Sequence, residues 1–373
     1  MRPFRYAHAA GSNARRLVDA CAAQLMPASG ESPGGLGFLY VADQIASELP
    51  EILTRLKMLT GTRDWVGSVG VGVCATGQEY YGSPGIAAMI ADIAPSDYRL
   101  IETVRDDLST FKARHNSWRK TAVSHFGIVH ADPRNDHVPA IVESLANAID
   151  GFLVGGISSS RRQPFQIAGD ITMGGLSGVL LSENVRVATA LSQSCTLIGR
   201  KHRVTGADAN VIQELDGRPA LTVFKEDIGD LLAHDLKRIE GFIFAALPVR
   251  GSDTGDYVVR NIVGIDQGQE LVAISDLLEV GQSIQFCQRD AHAAEEDLVR
   301  MAGDLKRRTN QTPRGALYFS CVARGHNLFG EESRELQLIR RELGEVPLVG
   351  FFCYGEISHH RLYGYTGVLT LFL

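Results

Sequence analysis

The sequence predicts an α/β fold of mixed α+β character: repeated strand-helix-strand-strand units forming mixed sheets covered by helices, in two domains. Three observations point there. A short apolar strand leads into a helix, then a strand marked Val-Gly, then through a turn into an apolar strand opened by glycine. That plan occurs three times. The distance from the first strand to the Val-Gly pair is nearly constant: 30 residues from Leu36 to Val66, 28 from Phe126 to Val154 and 32 from Leu317 to Val349. Regular spacing with matching chemistry marks a repeated supersecondary unit.

Taken in order, residues 12–26 read as an opening helix with Ser12 as N-cap and Leu17, Cys21 and Leu25 on one face. The first unit runs through LGFLYVAD, a helix over 45–59, WVGSVGVG and GIAAMIADI. The second runs through FGIVHAD, a helix over 138–149, FLVGGISSS and GVLL. Residues 185–199 alternate and are β-branched, as strands do. Asp216-Gly217 reads as a hairpin turn between strands at 211–215 and 219–223. A polar helix over 225–241 follows, and the domain boundary is expected just before it, giving domains 1–223 and 224–373. Beyond it come four short strands in a meander pattern and an amphipathic helix over 291–307 with Leu298, Met301 and Leu305 on one face. The third unit follows with LYFSCVARG, a helix over 336–343, PLVGFFCYGEI and GVLTLFL.

At 373 residues there is room for two cores, and 45% hydrophobic and 21% charged residues describe an ordinary globular chain. The net charge of −6 supplies no basic field for nucleic acid or anionic lipid. Local basic clusters, Arg161-Arg162, Arg200 to Arg203 and Lys306 to Arg308, fit solvated loops. MRPFRYAHAAG lacks the apolar core of a secretory signal, and no run of 18 apolar residues suggests membrane insertion. Six scattered cysteines then read as reduced thiols, and the expected location is cytoplasmic.

Catalytic signatures do not fit. Gly70-Val71-Gly72-Val73-Cys74-Ala75 has the letters of a dinucleotide fingerprint, but a turn follows it where a helix start is required. No Cys/His spacing suits a metal. A cysteine-dependent enzyme would rest on Cys321 or Cys353, with Arg324 or His326 lowering the thiol pKa. The glycines inside the Val-Gly strands ask for close packing or close ligand approach.

The third unit carries polar residues that the others lack. Cys321 and Arg324 end its first strand, and Phe352, Cys353, Tyr354 and Glu356 lie along its Val-Gly strand. Adjacent strands would bring these to one sheet edge, where open α/β proteins place ligands. Arg324 suits a carboxylate, Glu356 an ammonium, and Tyr354 and Phe352 would be apolar walls. Alternatively, Arg324 and Glu356 pair with each other.

SQSCTLIGRKHRVTGADANVIQELDGRPAL resembles the junction motif of FIST proteins, a family of intracellular sensory proteins. LGFLYVAD with WVGSVGVGV resembles their amino-terminal domain, and FSCVARG with GFFCYGEI their carboxy-terminal domain. The resemblance covers the chain from about residue 30 onward. It implies a two-part sensory module that binds small ligands such as amino acids. The same module is found in a eukaryotic F-box substrate receptor, and in stand-alone bacterial proteins that bind haem and sense nitric oxide beside a histidine kinase. The expected function is therefore ligand sensing without catalysis, the signal passing to a separate protein such as a histidine kinase. Haem with nitric oxide sensing is the alternative, and His202, His234 and His326, near loops or element ends, are its candidate axial ligands.

Overall fold

The computed structural model describes residues 2–26, 35–121, 125–229, 236–249 and 256–373. Each of the three units is realised, and each begins one strand and one helix earlier than the sequence pattern shows. The first comprises β1 (Arg5–Ala10), α1 (Ala14–Leu25), β2 (Leu36–Ala42), α2 (Leu49–Thr60), β3 (Asp64–Gly70), the hairpin β4 (Gly72–Ala75) and β5 (Gln78–Tyr81), and β6 (Gly85–Ala91). The second comprises β7 (Tyr98–Val104), α3 (Ser109–Thr121), β8 (Phe126–Ala131), α4 (Val138–Ile149), β9 (Phe152–Ser158), the hairpin β10 (Gln166–Ala168) and β11 (Asp170–Thr172), and β12 (Leu176–Leu181).

The third copy opens with β13 (Val187–Gln193) and is then interrupted. The interruption holds β14 (Cys195–Asp208), β15 (Val211–Leu215), β16 (Arg218–Pro219), α5 (Ala220–Ile228), β17 (Ile243–Pro248), β18 (Tyr257–Asp266), β19 (Leu271–Ile274) and β20 (Ser283–Arg289). The copy resumes with α6 (Ala291–Thr309), β21 (Gly315–Cys321), α7 (His326–Phe329), α8 (Arg334–Leu343), β22 (Leu348–His359), β23 (Arg361–Tyr363) and β24 (Thr366–Phe372).

One strand order recurs: β1-β6-β2-β3, β7-β12-β8-β9 and β13-β24-β21-β22. In every copy the first and Val-Gly strands are parallel, joined through a helix, and the last strand is antiparallel to the first. The second and third copies join through β9 and β22 into one large sheet, while β10 extends the sheet of the first copy. Phe38, Tyr40 and Met89 of the smaller sheet share an apolar layer with Phe319, Phe351 and Val368 of the larger one. Helices α1 and α2 cover the outer face of the first copy, and α3 and α4 that of the second.

The Val-Gly signature has a packing cause. A Cβ on Gly67, Gly155 or Gly350 would lie 1.7 Å from the carbonyl oxygen of Leu39, Val129 or Tyr318 respectively. These are the residues opposite them on the parallel first strand. Glycine lets the two backbones approach at the same point in all three copies. It also fixes an equivalence: Tyr40, His130 and Phe319 occupy one position, each next to the residue the glycine meets.

The linear division at 223/224 and the compact units of the structure are drawn differently. One unit is Met1–Gln193 with Glu295–Leu373, and the other is Ser194–Ala294. Residue 223 lies inside α5, because Ala220, Leu221, Val223 and Phe224 are buried apolar helix residues in the core of the second unit. The expected strand over 219–223 is thus short β16 followed by helix. The Asp216-Gly217 turn stands as expected, both residues at positive φ (54° and 75°). The expected helix over 225–241 ends at Ile228, before Gly229; Leu236–Ile239 is a 3-10 turn, and residues 230–235 lie outside the described residues. The meander strands pair in the ring β14-β20-β17-β18-β19-β15, which closes on β14 as an antiparallel barrel. At α1 the cap is Asn13 rather than Ser12: its side-chain oxygen accepts the Arg16 amide at 3.0 Å.

Candidate functional site

Strand β21 ends at Cys321, and a tight turn through Gly325 (φ 52°) carries the chain into α7 and then α8. Glu335 in the first turn of α8 points inward and is fully buried. Its carboxylate accepts the Tyr318 hydroxyl at 2.6 Å, Ser320 Oγ at 3.0 Å, Arg324 Nε at 2.7 Å and the Gly325 amide at 2.9 Å. Arg324 is also wholly buried; it donates to Tyr318 Oη at 3.2 Å and lies 4.9 Å over the Phe329 ring. Burial alone would lower its pKa, but Tyr318 and Glu335 beside it outweigh burial and hold it raised. The ion pair of Arg324 therefore runs to a helix residue that sequence reading did not single out. That pair is wholly buried.

Glu356 on β22 is equally buried, accepting Thr366 Oγ1 at 2.7 Å, the Thr366 amide at 3.1 Å and Cys353 Sγ at 3.3 Å. Burial pushes its carboxyl up to about 8, against the opposing hydrogen bonds from Thr366 and Cys353 and the nearby Arg324 charge. A second carboxyl reaches the same region from the first copy. Glu79 on β5 is nine-tenths buried, and burial, then Glu335, push it up to about 8 against the amides of Leu336, Glu335 and His326. Burial thus biases both Glu79 and Glu356 toward the protonated form beside the Arg324–Glu335 ion pair.

The β4–β5 hairpin of the first copy grips these strand ends. Gln78 Nε2 and the Glu79 amide donate to Ser333 Oγ at 3.1 and 2.8 Å, and Gln337 Nε2 donates to Gly77 O at 2.6 Å. Tyr81 donates to Val322 O at 3.0 Å and accepts from Asn327 Nδ2 at 3.1 Å. Its ring meets those of His326 at 4.2 Å and Phe352 at 4.9 Å. The second copy contributes Ser159, whose hydroxyl donates to Phe352 O at 2.5 Å and accepts the Val71 amide at 2.9 Å. Arg161 and Tyr354 are close enough to act electrostatically on the Tyr81 hydroxyl. All three copies thus meet here, with Tyr81 half-buried and Arg161, His326, Asn327 and Tyr354 exposed.

The structure divides the sequence-predicted residues. Cys321, Arg324, Phe352, Cys353 and Glu356 are buried, whereas Tyr354 is 52% exposed. Phe352 meets the Tyr81 ring at 4.9 Å, and Tyr354 lies near the same tyrosine's hydroxyl. Burial, then Glu356, raise the Cys321 and Cys353 thiols, the reverse of what a catalytic thiolate needs. Glu335, Glu79 and Tyr81 were missed. Glu335 sits in RELQLIRREL, which reads as a solvated helix face, and Glu79 and Tyr81 sit in a hairpin remote in sequence.

Of the haem candidates, His202 has both ring nitrogens engaged. In the barrel, His202 places Nδ1 and Nε2 each 2.7 Å from a carboxylate, of Asp216 and Asp227, leaving neither nitrogen for iron. Gly199 admits Asp227, since a Cβ there would fall 2.2 Å from its Cγ. His326 is exposed against Tyr81, and His234 lies outside the described residues. No group of three or more His, Cys, Asp or Glu among the described residues could hold a metal ion.

Family models match across these elements: the FIST N domain over residues 35–218 and the FIST C domain over 220–359. The chain belongs to the FIST family. FIST domains are sensory domains of signal transduction proteins. Among relatives, the uncharacterized protein Rv0628c of Mycobacterium tuberculosis is 28% identical over 375 residues, covering 96% of each chain. The uncharacterized protein Mb0898c of Mycobacterium bovis is 27% identical over 361 residues, covering 92% of each. The family boundary at 218/220 falls between β15 and α5, inside the barrel unit. No helix among the described residues is long and apolar enough to cross a membrane.

Proposed function

We propose that this FIST chain senses a small amino-acid-like ligand at the junction of the three copies and passes occupancy to a separate signalling protein, such as a histidine kinase. One observation carries the reading: parts of all three copies converge where Tyr81, Tyr354, Arg161, His326 and Asn327 stand at or near the surface. Arg161 offers donors to a carboxylate, and the tyrosines offer aromatic faces to a side chain. Arg324, Glu335 and Glu356 form the rigid buried base beneath that surface. A ligand bridging parts from different copies changes how they pack, and that is the differential contact a partner can read.

Thermal-shift screening of the amino acids tests this, on the wild type and on Tyr354→Ala and Arg161→Ala. A ligand at a hundred times its Kd adds about 2.7 kcal/mol of stability. The reading expects a saturable rise in Tm for one chemical class, weakened in both variants. No shift with any amino acid, or an unchanged shift in both variants, would refute it.

A further inference from the structure

A second polar site lies between the two sheets, away from the junction surface. Tyr40 and Ser68 are register partners on β2 and β3, and Ser68 and Gln166 on β3 and β10. His130 and Ser177 are register partners on β8 and β12. Tyr40 Oη lies 3.2 Å from His130 Nε2 and joins the two groups. Register partners face the same side, so Gln166, Ser68, Tyr40, His130 and Ser177 form a continuous belt in the layer between the sheets. All five are fully buried.

Three atoms of this belt have no hydrogen-bond partner: His130 Nδ1, Ser177 Oγ and Gln166 Oε1. Buried polar atoms are almost always satisfied, and leaving one unmet is costly. The frame does not demand polarity here. The position of His130 is filled by Phe319 in the third copy, and the two rings pack together with Tyr40 and Phe351. A phenylalanine would serve packing equally well. The belt contains no charged group, and burial holds His130 neutral, its pKa lowered to about 3.

We propose that this belt binds a small uncharged polar group of the primary-amide class. An amide NH2 donates to Gln166 Oε1, while its carbonyl accepts from Ser177 Oγ or His130 Nδ1–H. A carboxylate or an ammonium finds no counter-charge between the sheets and is excluded. The site is distinct from the proposed amino-acid surface and stands or falls independently of it.

The test is NMR on uniformly ¹⁵N-labelled protein, titrated with acetamide and, in parallel, with acetate and methylammonium. Acetamide is expected to shift the His130 ring nitrogens saturably, with the two ions producing no shift. Ser177→Ala should weaken acetamide about fivefold, the value of one neutral hydrogen bond. His130→Phe, which copies Phe319, should fold and lose the acetamide response at the Ser177 and Gln166 amides. If His130→Phe fails to fold, Ser177→Ala carries the test. An unshifted His130 ring, an equal response to the ions, or undiminished binding in Ser177→Ala would overturn the proposal.

Discussion

The second and third copies share a backbone frame but bury different chemistry in it. The third buries charge, and four donors converge on Glu335. The second buries a neutral imidazole with one nitrogen unmet. The contrast follows from cost. An uncompensated buried ion costs several kcal/mol, whereas an unmet neutral polar atom costs about 1–3 kcal/mol. The second copy's own charge obeys the same rule: Asp132, wholly buried, takes Arg134 at 2.7 Å and the Gly174 amide at 2.8 Å. Within the second copy the unmet atoms, His130 Nδ1, Gln166 Oε1 and Ser177 Oγ, belong to uncharged side chains.

The largest test of this contrast is removal of a partner. Arg324→Ala strands Glu335 and should cost about 3–5 kcal/mol in denaturant unfolding. His130→Phe should cost less, about 1–2 kcal/mol, since it removes an unmet nitrogen and keeps the ring but takes away the Nε2 that meets Tyr40 Oη. Comparable losses in the two would abolish the distinction. Gly155→Ala and Gly350→Ala probe the shared frame. Each places a methyl against a backbone carbonyl, so each should cost about 3 kcal/mol, and Gly155→Ala should cost more because Gly155 also holds φ at 146°. A small loss in either would show that the carbonyl contact does not dictate the glycine.

The two regions should also respond to pH with opposite sign. Glu356 and Glu79 have folded pKa values raised to about 8. The folded state holds their protons longer than the unfolded chain, so stability is full below the ordinary carboxyl range and falls as pH rises toward 8. The slope is about 1.4 kcal/mol per pH unit for each group. His130 is lowered to about 3, so its contribution is full above the ordinary histidine value and is lost as pH falls toward 3. Glu356→Gln should therefore flatten the alkaline limb of a stability–pH curve, and His130→Phe the acid limb. The smallest expected effect is at the exposed face: Tyr354→Ala should change stability by no more than about 0.5 kcal/mol, whatever it does to ligand response.

The repeats were legible because the Val-Gly pair is dictated by backbone contact, which forces one residue type at one spacing in every copy. The opening strands β1 and β7 were not, because they are half-exposed edges with mixed composition; β13 read as a strand within 185–199 but not as part of its copy, because the barrel separates it from the rest. At the site, Arg324 and Glu356 stood out as polar residues in apolar strands. Their partners did not: Glu335 looks like any helix carboxylate, and Glu79 arrives from a different copy. His130, inside FGIVHAD, carries no local mark of its open nitrogen.

The interrupted third copy has a kinetic consequence. Thr189 on β13 bonds Thr370 on β24 across 181 positions at 3.1 Å, with β24 lying between β13 and β21. During synthesis β13 emerges long before the strand that will flank it, and its ladder must await β24. Closing so long a loop is entropically slow. Assembly of this edge should therefore be the late event in folding, leaving a nascent chain with an unpaired ladder that chaperones or self-association can engage.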